Sequence, residues 1–118
     1  MSDNYKILNN EVPGVIHFIE QMELVLSNGW CKVRDVSLGK GQDIIGAIEI
    51  VERDADNLLY GVAKRIVRMK TLYWLHHILG DHIGIVAFNE KNNTTQKGVL
   101  AMLAYARTEL ERQYQSTH

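Results

Sequence analysis

Glu20 and Glu23 lie three residues apart, and Glu49 and Glu52 repeat that spacing further along the chain. Carboxylates three apart share one face of a helix. Two facing helices carrying such pairs would present the oxygen ligands that Mg²⁺ requires, and a metal so held can grip phosphates for hydrolysis. The same four residues also have a plainer account as the solvated faces of two amphipathic helices. On that account Glu49 and Arg53 form an i,i+4 pair worth about 0.2–0.5 kcal/mol.

The doubled Glu-x-x-Glu pattern loosely resembles the all-helical MazG-like nucleotide pyrophosphohydrolases. The resemblance implies Mg²⁺-dependent hydrolysis with Glu20, Glu23, Glu49 and Glu52 as ligands. The pattern departs from that family in two places. The second pair usually ends in Asp where position 52 is Glu, and the acidic residues typical beside the first pair are replaced by Gln21 and Met22.

A second constellation is Phe88-Asn89-Glu90, which follows the apolar run beginning at Ile83 and precedes the most apolar helical stretch of the chain. Burying an amide and a carboxylate there costs several kcal/mol unless they find partners. The partners on offer are the unpaired N–H groups that open the next helix, or a ligand in a pocket walled by Trp30, Phe88 and Trp74. Trp30, Phe88, Asn89 and Glu90 are therefore the candidate ligand-binding residues, and no residue is assigned a catalytic role.

Other clusters have inexpensive explanations. Lys64, Arg65, Arg68 and Lys70 precede Tyr73 and Trp74, and cations beside stacking aromatics suit single-stranded nucleic acid. With Asp54 and Asp56 at the start of a helix around Asn57 and the four cations near its end, the helix dipole explains them more cheaply. His77 and Asp81 have a workable metal spacing, but Gly80 is expected to end the helix between them. Cys31 has no nearby histidine to activate it and reads as a small buried side chain. Gly39-Lys40-Gly41 lacks P-loop spacing and reads as a turn.

The elements that must carry these residues follow from hydrophobic periodicity. Val12–Leu26 is an amphipathic helix, with Pro13 in its first turn and Asn28-Gly29 suited to a left-handed C-terminal cap. Trp30–Val36 reads as a short extended segment. The long stripe from Ile44 to Met69 is too long for one helix and divides at Asp54–Asn57 and at Lys70-Thr71. Three helices are expected, about 43–53, 57–69 and 72–79. Ile83–Phe88 fits a strand or a helical turn equally, and Asn89–Thr95 reads as a loop. Asn93-Thr94-Thr95-Gln96 resembles a capping box and opens a last helix to Tyr114. That helix is apolar on nearly every face between Val99 and Ala106, which would place it at the centre of the domain. The expected fold is mainly α: a compact single-domain helical bundle of about five helices, with room for one or two short extended segments. Residues 1–11 form an N-terminal extension, 12–114 the helical core and 115–118 a tail.

Composition sets the outer limits. The 118 residues suffice for one domain, 46% are apolar, and 13 Lys plus Arg oppose 14 Asp plus Glu for a net charge of −1. So balanced a charge disfavours nucleic acid as a partner. No apolar stretch reaches the roughly 20 residues of a membrane span. One cysteine excludes an internal disulfide, the N-terminus lacks the pattern of a secretory signal, and a cytoplasmic setting is expected.

Several features together resemble a family of small uncharacterised bacterial, phage and mobile (integron) gene-cassette proteins. They are Gly29-Trp30 after the first helix, Gly46-Ala47 opening the second, and Phe88-Asn89-Glu90 leading through Thr94-Thr95 into Val99-Leu100-x-x-Leu103-x-x-Ala106. The resemblance spans about residues 15 to 107; the family usually shows Asp in place of Glu90. It implies no established activity, and it points to a class rich in homo-oligomers. The sequence thus favours a non-enzymatic, oligomeric binding module for a partner protein or small ligand, most simply a dimer and without a cofactor. The alternative is a Mg-dependent nucleotide pyrophosphohydrolase.

Overall fold

The first helix, α1 (Val12–Ser27), forms where the apolar stripe places it, with Val15, Phe18, Ile19, Met22 and Leu26 fully buried. The structure is a computed structural model describing residues 6–31, 41–80, 84–91 and 93–116. It is mainly α, as expected, and among the described residues it holds five helices and one two-stranded hairpin. No described helix is long and apolar enough to cross a membrane. The end of α1 differs from expectation. Asn28 stays right-handed at φ −81°, and the Asn28 and Gly29 N–H groups bond back to Val25 and Leu26 at 3.3 and 3.4 Å. The last turn is tightened instead of capped.

Helix α2 (Ile44–Asp54) starts on Asp43, whose side chain accepts the Gly46 N–H at 2.7 Å as an N-cap. Ile44, Ala47, Ile48 and Val51 are buried. The stripe breaks at Asp54 as expected, but the chain then forms a β-hairpin and not a helix from residue 57. Strand β1 (Leu58–Leu59) pairs antiparallel with β2 (Val62–Ala63). Tyr60 and Gly61, at φ 53° and 83°, supply the two positive dihedrals of a mirror-image hairpin turn. Leu59 and Val62 face the core while Leu58 and Tyr60 are exposed, so a strand alternation here mimics helical spacing.

Helix α3 (Lys64–Leu79) is continuous, and the division expected at Lys70-Thr71 is absent. The Thr71 hydroxyl donates to the Val67 carbonyl at 2.8 Å, one turn back. A potential cap is thereby satisfied inside the helix. Ile85–Glu90 forms α4, a short helix entered through Gly84 at φ 78°. Asn89 and Glu90 consequently lie in a helix and not in a loop. Helix α5 (Gln96–Ser116) is capped by Thr95, whose hydroxyl accepts the Gly98 N–H at 3.1 Å. The capping role falls to Thr95 and not Asn93. Gln96 instead reaches across to donate to the Leu26 carbonyl at 2.8 Å.

The central helix is α1, which packs against α2, α3 and α5, and not α5. Among the residues of α5 whose burial is described, Val99, Leu103, Ala106 and Leu110 are the buried ones. Ala101 and Tyr105 face solvent, and alanine, the best helix former, is at home there. Of the segment expected to be extended at Trp30–Val36, only Trp30 and Cys31 are described. Trp30 forms a bridge with Gln42, supported by Cys31 N–H to Gln42 O at 3.1 Å and Gln42 N–H to Gly29 O at 2.9 Å. Gly29 and Gly41 make this crossing possible, because a Cβ on Gly41 would lie 2.9 Å from the Gly29 carbonyl carbon.

Candidate functional site

The two glutamate pairs take up separate duties. Glu23 pairs with Arg107 of α5 at 3.4 Å, and Glu52 with Arg68 of α3 at 2.8 Å. Glu20 and Glu49 are exposed. Among the described residues no group of three His, Cys, Asp or Glu side chains is placed to hold a metal.

The second constellation is partly brought together. Asn89 is 2% exposed, and its Oδ1 accepts the Trp30 indole N–H at 2.8 Å and the Ile44 backbone N–H at 3.2 Å. Its Nδ2 donates to the Cys31 carbonyl at 3.3 Å. One amide thus joins α4 to the end of the α1 connection and to the first turn of α2, whose orphan donor it satisfies. Protein partners at a helix start were one of the two expectations for this residue, and the helix is α2, not α5. Phe88 is half-buried against the core and its carbonyl accepts the Thr94 hydroxyl at 2.8 Å. Glu90 is exposed. Trp74 turns towards α5, where its indole N–H donates to the Ala106 carbonyl at 2.8 Å.

The basic cluster has a different explanation from the one its sequence suggested. Because α3 begins at Lys64, Lys64 and Arg65 occupy its first turn, the unfavourable end for a cation. Three of the four charges have a local partner. Lys64 donates to the Ala55 carbonyl at 3.3 Å, and Arg68 holds Glu52. Lys70 is buried against Glu11 at 3.2 Å and also donates to the Lys6 carbonyl. Glu11 Oε1 in turn accepts the Leu8 N–H at 2.8 Å. This ion pair fastens residues 6–11, including a 3-10 turn at Asn9–Glu11, onto α3. Asp81, His82, Gly39 and Lys40 lie outside the described residues.

That fastening builds one wall of a groove of about 500 Å³. The N-terminal segment contributes Lys6, Ile7 and Asn9 to it. Helix α3 contributes Tyr73, Trp74 and His77, and α5 contributes Leu110, Gln113 and Tyr114. His77 stacks on Trp74 with ring centroids 5.2 Å apart and planes 27° apart. The indole is locked by its bond to Ala106. Tyr73 and His77 are four apart on one helix face, a spacing visible in the sequence; what hid the site was the N-terminal wall, which no periodicity announces.

A smaller cavity of about 220 Å³ lies between α1, α2 and the hairpin, with His17, Gln21, Asp54 and Asp56 at its rim. His17 meets Tyr60 edge-on at 5.7 Å. The Arg53 guanidinium, hydrogen-bonded to Asp54 at 2.9 Å, holds that carboxyl below its ordinary range. On α5, Arg112 does the same to Glu109.

No curated protein and no solved structure matches the chain at a significant level. Residues 13–109 match a family of unknown function, DUF6197, from the start of α1 to the middle of α5. That span takes in the α1 hub, the Asn89 clamp and the α3 wall of the groove, and the chain belongs to this family.

Proposed function

We propose that the protein is a non-enzymatic binding module whose small-molecule ligand seats in the groove between residues 6–11, α3 and α5. The observation that carries this reading is the locked Trp74–His77 stack in a concavity of about 500 Å³. Aromatic walls with a few polar anchors, in a volume of roughly 300–1,000 Å³, are the usual build of a small-molecule site. The Trp30–Asn89 contact is assigned to scaffolding, since its amide is engaged by three protein groups. A hydrolase would need its glutamates gathered on one Mg²⁺, whereas Glu23 and Glu52 are engaged on different helices. The module acts in the cytoplasm and self-associates as a dimer. Carriage on a mobile gene cassette is what the family resemblance implies for it.

The test is ligand-observed and protein-observed NMR with a panel of aromatic fragments. Binders should shift the Trp74 indole N–H and the backbone signals of Tyr73 and His77, and Tyr73→Ser should weaken them. A panel whose binders all map to the Trp30–Asn89 region, or to none, refutes the reading.

A further inference from the structure

The charge lining the groove narrows the class of ligand, on the footing of the binding reading above. Lys6 and His77 are the charge-bearing side chains among its described lining residues, and both are cationic when charged. None of the described lining residues is acidic. Of the carboxylates on the adjoining elements, Glu11 is buried against Lys70, Glu109 is bonded to Arg112, and Glu111 of α5 is not among the lining residues. The Lys6 backbone is fixed by the Lys70 ammonium, while its side chain remains exposed at the mouth. The other lining is aromatic: exposed His77 stacked on the buried Trp74, and the half-buried Tyr73 and Tyr114.

We infer that the groove takes a small aromatic anion, a planar ring system carrying a carboxylate or sulfonate. The ring packs along the α3 and α5 aromatics and the acid group faces Lys6 and His77. A cation would meet like charge and no carboxylate among the described lining residues, whereas a neutral ring would gain the ring contacts alone. The Lys6 ammonium is solvent-exposed, so its contribution is that of a surface ion pair, up to about fivefold in affinity. Ring contacts supply the remainder.

Two fluorescent probes with the same ring system separate these contributions: anilinonaphthalene sulfonate, which is anionic, and N-phenyl naphthylamine, which is neutral. Each is titrated into the full chain, and its position is verified by the shift of the Trp74 indole N–H in a ¹H–¹⁵N spectrum. The anionic probe should bind several-fold more tightly. Lys6→Met should lower its affinity about fivefold and leave the neutral probe unchanged, and His77→Gln should weaken both through lost stacking. Equal affinities, or a Lys6→Met variant that affects both probes alike, would overturn the anion preference and leave the groove as a binding site. If neither probe moves the Trp74 signal, the groove reading falls together with this one.

Discussion

Asn89→Ala tests the scaffolding role of the buried amide most directly. The substitution removes three hydrogen bonds at once: to the Trp30 indole at 2.8 Å, to Ile44 N–H at 3.2 Å and to the Cys31 carbonyl at 3.3 Å. Ile44 is fully buried, and a buried donor left without a partner costs about 1–3 kcal/mol. The Trp30 indole is only half-buried, so water recovers part of its bond, and about 0.5–1 kcal/mol is lost there. The Cys31 contact is the longest and contributes least. The sum is about 3 kcal/mol, and about 2 kcal/mol if a water enters the vacated space and restores one bond. Against a total stability of roughly 5–15 kcal/mol this is a large fraction, and it corresponds to a fall in melting temperature of about 10 °C. Urea denaturation followed by far-ultraviolet circular dichroism measures it. Glu90→Ala, exposed on the same helix, is the control and should stay within about 0.5 kcal/mol of the parent. Combining Asn89→Ala with Trp30→Phe should show a coupling of about 1 kcal/mol, because both remove the same bond. A loss below about 0.5 kcal/mol for Asn89→Ala would refute the assignment of this residue to the scaffold.

Lys70→Met should destabilise the fold by about 3–5 kcal/mol by stranding the buried Glu11 carboxylate. Limited proteolysis should then cut within residues 6–11, and Glu11→Leu combined with it should restore most of the loss. Gly41→Ala should cost about 2 kcal/mol or more in a thermal melt, since alanine is strained at φ 65° and its Cβ meets Gly29. Asp54 and Glu109, each hydrogen-bonded by an arginine, have folded-state pKa values below their unfolded ones. Their contribution is therefore present above the ordinary carboxyl pKa and is lost as the pH falls through the lowered values. Asp54 is exposed, and Glu109, though half-buried, pairs with an exposed arginine, so acid titration of stability should show a small effect that shrinks in high salt. Sedimentation equilibrium at high micromolar concentration should give twice the 13.5 kDa of the chain, with exposed Tyr60 and Met69 as the first sites for disruptive substitution; a monomer would end the dimer proposal.

Strong periodicity makes α1, α2 and α5 legible, because Val12–Leu26, Ile44–Val51 and Val99–Leu110 each repeat a stripe over several turns. Leu58 and Val62 mislead for the opposite reason, as a stripe of two residues cannot distinguish a helix from a tight hairpin, and the deciding signal is the backbone freedom of Gly61. Thr71 resembles a cap because its hydroxyl can serve a helix start or bond back one turn, and only packing decides between them. The importance of Asn89 can be argued from the expense of burying it, but its partners come from residues 30, 31 and 44, a long-range arrangement that carries no local trace. The same holds for the groove, whose two aromatic walls are 30 or more positions apart in the chain.

The crossing of Gly29 and Gly41 has a consequence for engineering. The hydrogen bonds at Gly29, Cys31 and Gln42 clamp the two ends of the intervening span side by side, whatever its length. α1 and α2 are therefore tied to each other through this crossing, and a design that grafts the pair elsewhere must carry Gly29, Cys31, Gly41 and Gln42 with it.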